Sequence, residues 1–301
     1  MINTPNINFE DVIDAIKKYY SSNQLDNQMI EKLNNLDVNK YIQEEKDYKT
    51  KGENGELVID PSKQEKYFTK DQMTVFYELL RKIHMPKDDT TKDDTTIYDY
   101  LMQKDQDILC PYCNMESPCE LDHFLPKSKF YSYSITPINL IPICSTCNNN
   151  QHKFIHYPHY IDNSKTNSVI DYIFHPYFDD MNEWQWLHAT VTFTKLGLVD
   201  GPFFMLSVEK PSTWEDCKYK RIQAHYKILK FQERLIPKMK VKFGYYRDAI
   251  INWGKTGEQN LKSWLTERCN EIHSSTVDAT KLMFQALLNN FYELISYVDS
   301  K

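Results

Sequence analysis

The sequence predicts a mainly helical α+β fold, with helical regions at both ends of the chain, a compact core between them, and a short β-hairpin near 189–208. Three observations predict it. Apolar residues recur at helical spacing through the first hundred residues and again after residue 211. From Cys110 to about residue 153 the texture changes to short apolar runs, prolines and paired cysteines. Two strand-like stretches then flank a turn. The expected organisation is a helical N-terminal region at 1–105, a core domain at 106–160, and a hairpin with a helical C-terminal region at 161–301.

Each element has its own signal. Phe9, Val12, Ile13 and Ile16 share one helical face, as do Met73, Phe76, Leu79, Leu80 and Ile83. Between them Lys51-Gly52-Glu53-Asn54-Gly55 reads as a turn-rich break. Residues 87–96 repeat Lys-Asp-Asp-Thr-Thr in tandem, most simply an exposed loop. Residues 154–185, rich in His, Tyr, Pro and Asn, form an irregular connection. Strands are expected at 189–193 and 203–208, with 196–202 as a hairpin-type turn. Helical spacing resumes from Pro211, broken near Gly244 and at Gly254-Lys255-Thr256-Gly257, and one last long helix is expected over about 276–297.

Composition excludes several classes. With 301 residues, 41% of them hydrophobic, and only 7 glycines, the chain can bury a core and is neither disordered nor fibrous. No run of about 18 apolar residues occurs, so no membrane span is expected. Met1-Ile2-Asn3-Thr4-Pro5 lacks the basic start and apolar centre of a signal peptide, so the expected location is cytoplasmic. The net charge of −6 hides an asymmetry. Residues 1–109 carry 22 acidic against 15 basic side chains, a net of −7, and residues 209–242 carry 4 against 10, a net of +6. Phosphate binding depends on where positive charge sits rather than on the sum, although solvated helix faces give the same pattern.

Four of the 7 cysteines form two Cys-x-x-Cys pairs, Cys110 with Cys113 and Cys144 with Cys147. A disulfide framework is uncommon in so large a chain in a reducing compartment, and pairs at that spacing read as metal ligands. Four soft thiolates suit tetrahedral zinc in a closed structural site that ties two distant segments together. Cys119 competes weakly for a place in the first pair, and Cys217 and Cys269 stand alone.

Asp122-His123 sits between the pairs, with Asn148 and His152 after the second. A helix entered at Cys144 would put Asn148 and His152, four apart, on one face. On a strand, Asp122 and His123 would point to opposite sides. A carboxylate oxygen, an amide oxygen and an imidazole make an open site for a divalent cation. Taken singly, each also reads as a turn Asp, a satisfied His or a polar cap.

These residues resemble the HNH endonuclease family, whose ββα-metal core sets two short strands and a helix around one divalent ion and in many members is held by two Cys-x-x-Cys knuckles. The motif is Leu121-Asp122-His123 with Pro126 three residues on, then Asn139-Leu140 and Cys144-x-x-Cys147-Asn148, and it covers 110–153. The resemblance implies that His123 is the general base and that Asn139 braces the loop that aims it. It implies Asp122 and Asn148 as ligands of a catalytic Mg²⁺, Mn²⁺ or other divalent ion. His152 falls where some members have a further metal-binding His and others have none. The implied reaction is phosphodiester hydrolysis leaving 5′-phosphate and 3′-hydroxyl ends.

Lys127, Lys129 and Lys153 lie near these residues and are candidates for flanking phosphates, or simply solvent-facing charge. Further on, Lys218, Lys220, Arg221, Lys227, Lys230 and Arg234 line either a groove for a nucleic-acid backbone or the wet face of a helix. His175-Pro176-Tyr177-Phe178-Asp179 and 221–235 resemble stand-alone bacterial HNH proteins, several of which act in defence against phage, some beside an ATPase partner. The expected function is therefore a DNA endonuclease of anti-phage defence or restriction. The alternatives are a non-catalytic zinc-stabilised nucleic-acid-binding or adaptor module and an RNA nuclease.

Overall fold

The computed structural model describes residues 2–55, 57, 59, 62, 64–85, 94–104, 106–149, 174–179, 185–196, 199–272 and 277–301. Two compact units divide the chain, one of Met1–Tyr112 with Glu116–Asp180, the other of Cys113–Met115 with Met181–Lys301. Most of the tandem repeat at 87–96 and of the connection at 154–185 falls outside the described residues.

In the first unit, local capping starts the helices. At α1 (Phe9–Ser22) the Asn8 side chain accepts from the Asp11 N–H at 3.1 Å while the Asp11 carboxylate accepts from the Asn8 N–H at 2.8 Å. Two otherwise orphaned donors are thereby satisfied. Helices α2 (Asn27–Asn34) and α3 (Val38–Glu53) follow, and Thr69 with Gln72 makes a second reciprocal cap at α4 (Lys70–Leu79). The short α5 (Ile97–Leu101) is capped by Thr96. The apolar positions predicted for α1 and α4 are all buried.

The turn expected at 51–55 is shorter than its composition suggests. Helix α3 continues through Gly52, where a Cβ would collide with the Phe178 ring. Here glycine marks a close approach and not a break. Only Asn54 and Gly55 turn away, Gly55 with a φ of 70°.

After α5 come the antiparallel strands β1 (Glu120–His123) and β2 (Leu140–Ile143), which pair Asp122 with Ile141 and His123 with Leu140. Leu121, Ile135 and Leu140 join the same apolar cluster as Phe9, Phe76 and Leu80, so the N-terminal helices and the strands share one core. Cys144 leads straight into the one-turn helix α6 (Ser145–Asn148). The two predicted strands are present, and the helix entered at Cys144 is a single turn that ends at Asn148 with Asn149 as its C-cap; the expected pairing of Asn148 with His152 on one helical face falls outside the described residues.

The second unit is built on the antiparallel pair β3 (Leu187–Leu196) and β4 (Val199–Val208), which extends further than the sequence reading placed it. Residues 199–202 belong to β4 rather than to a turn. Helices α7 (Asp216–Ile228), α8 (Phe231–Lys255), α9 (Glu258–Glu271), α10 (Ala279–Asn289) and α11 (Phe291–Asp299) complete it. Gly244 does not interrupt α8; the expected stop comes at Gly257, whose φ is 117°. The single helix expected over 276–297 is two helices. The chain leaves helical dihedrals at Asn290, whose side-chain oxygen accepts from the Val191 N–H at 3.0 Å. Among the described residues no helix is long and apolar enough to cross a membrane.

Candidate active site

β1 ends at a cleft. His123, its last residue, is buried, and its Nε2 lies 3.1 Å from the Ser134 carbonyl oxygen. A carbonyl can only accept, so Nε2 carries the hydrogen and Nδ1 keeps its lone pair. The Tyr77 ring packs beside the imidazole, with centroids 4.7 Å apart. Burial outweighs the Ser134 bond and pushes the His123 pKa down to about 4, with the Lys127 charge acting in the same direction. The ring is thus neutral near neutral pH.

Asn139 ends the 3₁₀ turn Pro137–Asn139 and is fully buried. Its Oδ1 accepts from the Leu125 N–H at 2.7 Å and from the Tyr48 hydroxyl at 3.2 Å. Its Nδ2 donates to the Leu125 carbonyl at 3.3 Å and to the Tyr133 carbonyl at 3.1 Å. Both oxygen lone pairs and both amide hydrogens are used, which fixes the orientation of the carboxamide. The Asn139 backbone carbonyl also accepts from the Phe124 N–H at 2.9 Å. One residue therefore clamps the two positions that follow His123.

A cleft of about 520 Å³ gathers Asp122, His123, Lys127 and Asn148 with Tyr77 and Arg81. Asp122 and His123 both line it, although neighbours on a strand point to opposite sides. Asp122 and Asn148 are both among its lining residues, and carboxylate and amide oxygens are the donor types that suit Mg²⁺ or Mn²⁺. Lys127 enters with its Nζ 5.3 Å from the Tyr77 ring centroid. Lys129 is exposed and does not line this cleft. His152 and Lys153 lie outside the described residues.

Arg81 was not singled out in the sequence. It follows α4, stacks 3.6 Å from the Tyr98 ring centroid, and brings a second cation to the cleft. No spacing rule connects it to the motif, because a tertiary contact puts it there. In the second unit, Arg221 is 4% exposed and so cannot line an open groove, whereas Lys220, Lys227 and Lys230 are exposed.

The four paired cysteines converge. The sulfurs of Cys110, Cys113, Cys144 and Cys147 all lie within 4.8 Å of one another, and all four residues are buried. Tetrahedral zinc with bonds of about 2.3 Å needs sulfurs ~3.8 Å apart, a modest contraction. The Cys110 N–H donates to the Glu116 carbonyl at 2.7 Å and closes the first knuckle. Thr146 donates to the Glu116 carboxylate at 2.7 Å and links it to the second. Arg234 donates to the Cys113 sulfur at 3.2 Å, the kind of outer contact that favours a thiolate ligand. Cys119 stays outside the cluster and is exposed.

Comparison with known proteins agrees with this geometry. Residues 110–154 match the HNH endonuclease family. The chain is 27% identical to protein ea31 of Escherichia phage lambda over 149 residues, 48% of this chain and 45% of that protein. It therefore spans less than half the length of that relative. No solved structure matches it. The segment that matches the HNH endonuclease family, 110–154, is also the one whose paired cysteines are drawn together and whose Asp-His strand end lines the cleft.

Proposed function

We propose that the chain is a metal-dependent endonuclease that hydrolyses phosphodiester bonds of DNA, with His123 as its general base. The observation that carries this reading is the Nε2 contact to the Ser134 carbonyl, which leaves Nδ1 as a proton acceptor on a ring that borders the cleft. His123 Nδ1 takes a proton from water, the water oxygen bonds to phosphorus, the bond from phosphorus to the 3′ oxygen breaks, and that oxygen takes up a proton from solvent. The products carry 5′-phosphate and 3′-hydroxyl ends.

Asp122 and Asn148 would hold Mg²⁺, Mn²⁺ or a similar ion, joined by His152 if that residue reaches the cleft. Such an ion supplies positive charge against the crowded phosphate and the departing oxygen. Arg81 and Lys127, which line the cleft, would meet flanking phosphates, and Lys129 and Lys153 are proposed as further phosphate contacts on their nearness in sequence alone. Asn139 holds Phe124 and Leu125 in place and so keeps His123 aimed. The four-cysteine site would bind zinc and staple the domain without taking part in the reaction.

Service in anti-phage defence or restriction completes the reading, in the cytoplasm and beside an ATPase or another protein of the same system. Its support is the resemblance of His175–Asp179 and 221–235 to stand-alone bacterial HNH proteins.

The test incubates the full chain with supercoiled plasmid DNA and with RNA, each with Mg²⁺, with Mn²⁺ and with chelator. The expected result is metal-dependent nicking of plasmid that disappears in His123→Ala while zinc content is retained. Cutting of RNA alone would transfer the activity to the other nucleic acid. Cutting of neither would leave a zinc-stabilised adaptor as the better description.

A further inference from the structure

Asn139 is tied to two residues that lie outside the matched segment, to Tyr48 directly and to His175 through Tyr48. Tyr48 comes from α3 and His175 from a turn well beyond residue 154. The Tyr48 hydroxyl lies 3.2 Å from Asn139 Oδ1 and 3.0 Å from His175 Nε2. All three side chains are at most 1% exposed.

The direction of each hydrogen bond can be worked out. Asn139 Oδ1 also receives the Leu125 N–H, so it is the carboxamide oxygen and Tyr48 must donate to it. The Tyr177 N–H points at His175 Nδ1 at 3.3 Å, so that nitrogen accepts and Nε2 carries the hydrogen. His175 therefore donates to the Tyr48 oxygen, and Tyr48 donates to Asn139. The chain of donors runs one way and ends at the carboxamide that clamps the residues after His123.

The far end of this chain is itself fixed. The His175 ring lies between Phe124, 4.1 Å away by centroids, and Phe178, stacked at 4.4 Å. The His175 N–H donates to the Asp179 carboxylate at 2.7 Å, which closes the turn. Phe178 occupies the space that a side chain at Gly52 would need. The His-Pro-Tyr-Phe-Asp segment thus has a physical role: it presents one N–H at a set position.

We propose that Tyr48 and His175 are positioning residues of the nuclease centre, acting through Asn139 on the aim of His123. The proposal rests on the reading of His123 as the base. Full-length Tyr48→Phe, His175→Leu and His175→Gln are compared with the parent on supercoiled plasmid in Mg²⁺, with melting and zinc content measured alongside. A glutamine amide can still donate towards Tyr48, and leucine cannot. The expected result is a fall in kcat of roughly ten- to a hundredfold in Tyr48→Phe and His175→Leu, as for a catalytic group misplaced by about 1 Å or less. KM and zinc content stay at the parental values, and His175→Gln recovers most of the rate.

A role confined to stability would lower the melting temperature and leave kcat per folded molecule untouched. Parental kcat in folded Tyr48→Phe, or equal rates for the Leu and Gln variants, would overturn the proposal. Should Tyr48→Phe not fold, the pair at 175 decides alone. A parent that cuts nothing under these conditions would instead overturn the nuclease reading beneath it.

Discussion

Replacing Asn139 by Asp changes almost no volume but removes the two hydrogens that the Leu125 and Tyr133 carbonyls receive. An ionised carboxylate there would face both carbonyl oxygens in a site with no solvent exposure. The folded state would therefore hold the new carboxyl protonated, in which form it can still donate to one carbonyl and accept at the other oxygen. Its folded pKa then lies above the unfolded value near 4, and the sign follows from proton binding. Above that pH the unfolded chain releases the proton and the folded chain keeps it, so stability falls as pH rises.

Each pH unit is worth about 1.4 kcal/mol for as long as the folded carboxyl keeps its proton, so if it does so up to pH 8 the deficit relative to the parent grows by about 4 kcal/mol between pH 5 and 8. That is a large part of the stability of an ordinary domain, about 5–15 kcal/mol. Urea unfolding of parent and variant at pH 5, 6, 7 and 8, with zinc held in excess, measures the gap directly. A gap that stays constant across the series would refute the hydrogen-bond assignment at Asn139.

Cys144→Ser should release zinc and lower the melting temperature broadly, because metal binding adds to folding free energy; mass spectrometry and a thermal scan check both, and parental melting with full metal content would contradict it. Arg81→Ala should reduce kcat/KM about five- to tenfold with little change in melting, since its side chain is 48% exposed; plasmid nicking at low and high salt should show the deficit shrinking as salt rises. Glu45 is buried, one oxygen accepts from the Phe9 N–H at 2.9 Å, and burial raises its pKa to about 7. The folded chain therefore holds its proton more tightly than the unfolded chain, and stability is lost as pH climbs from the ordinary glutamate range to about 7. Glu45→Gln should match the parent near pH 4.5 and exceed it above pH 7 by up to ~3 kcal/mol, and equal melting at both ends of that range would contradict this.

What could be read in the sequence was local. Two Cys-x-x-Cys pairs announce a metal site through spacing alone, and the four sulfurs do meet. The helical faces of Phe9 to Ile16 and of Met73 to Leu79 were legible because burial follows periodicity, and Leu80 and Ile83 are buried beyond the helix end. Errors came where tertiary contact overrode composition. Gly52 lies within a helix and is glycine to make room for the Phe178 ring, and the C-terminal helix divides where Asn290 bonds to a strand. Arg81, Tyr48 and His175 were illegible as site residues for the same reason. Each reaches the centre from another element, and nothing in the linear spacing of an Arg, a Tyr or a His reports that.

The apolar cluster that holds Leu121, Ile135 and Leu140 together with Phe9, Phe76 and Leu80 has a practical consequence. An excised fragment of 110–154 would turn those three side chains out to water and give them every reason to aggregate, whatever metal it held. Anyone wishing to graft this module onto another scaffold should carry the preceding helices with it and cut no earlier than the end of the first unit.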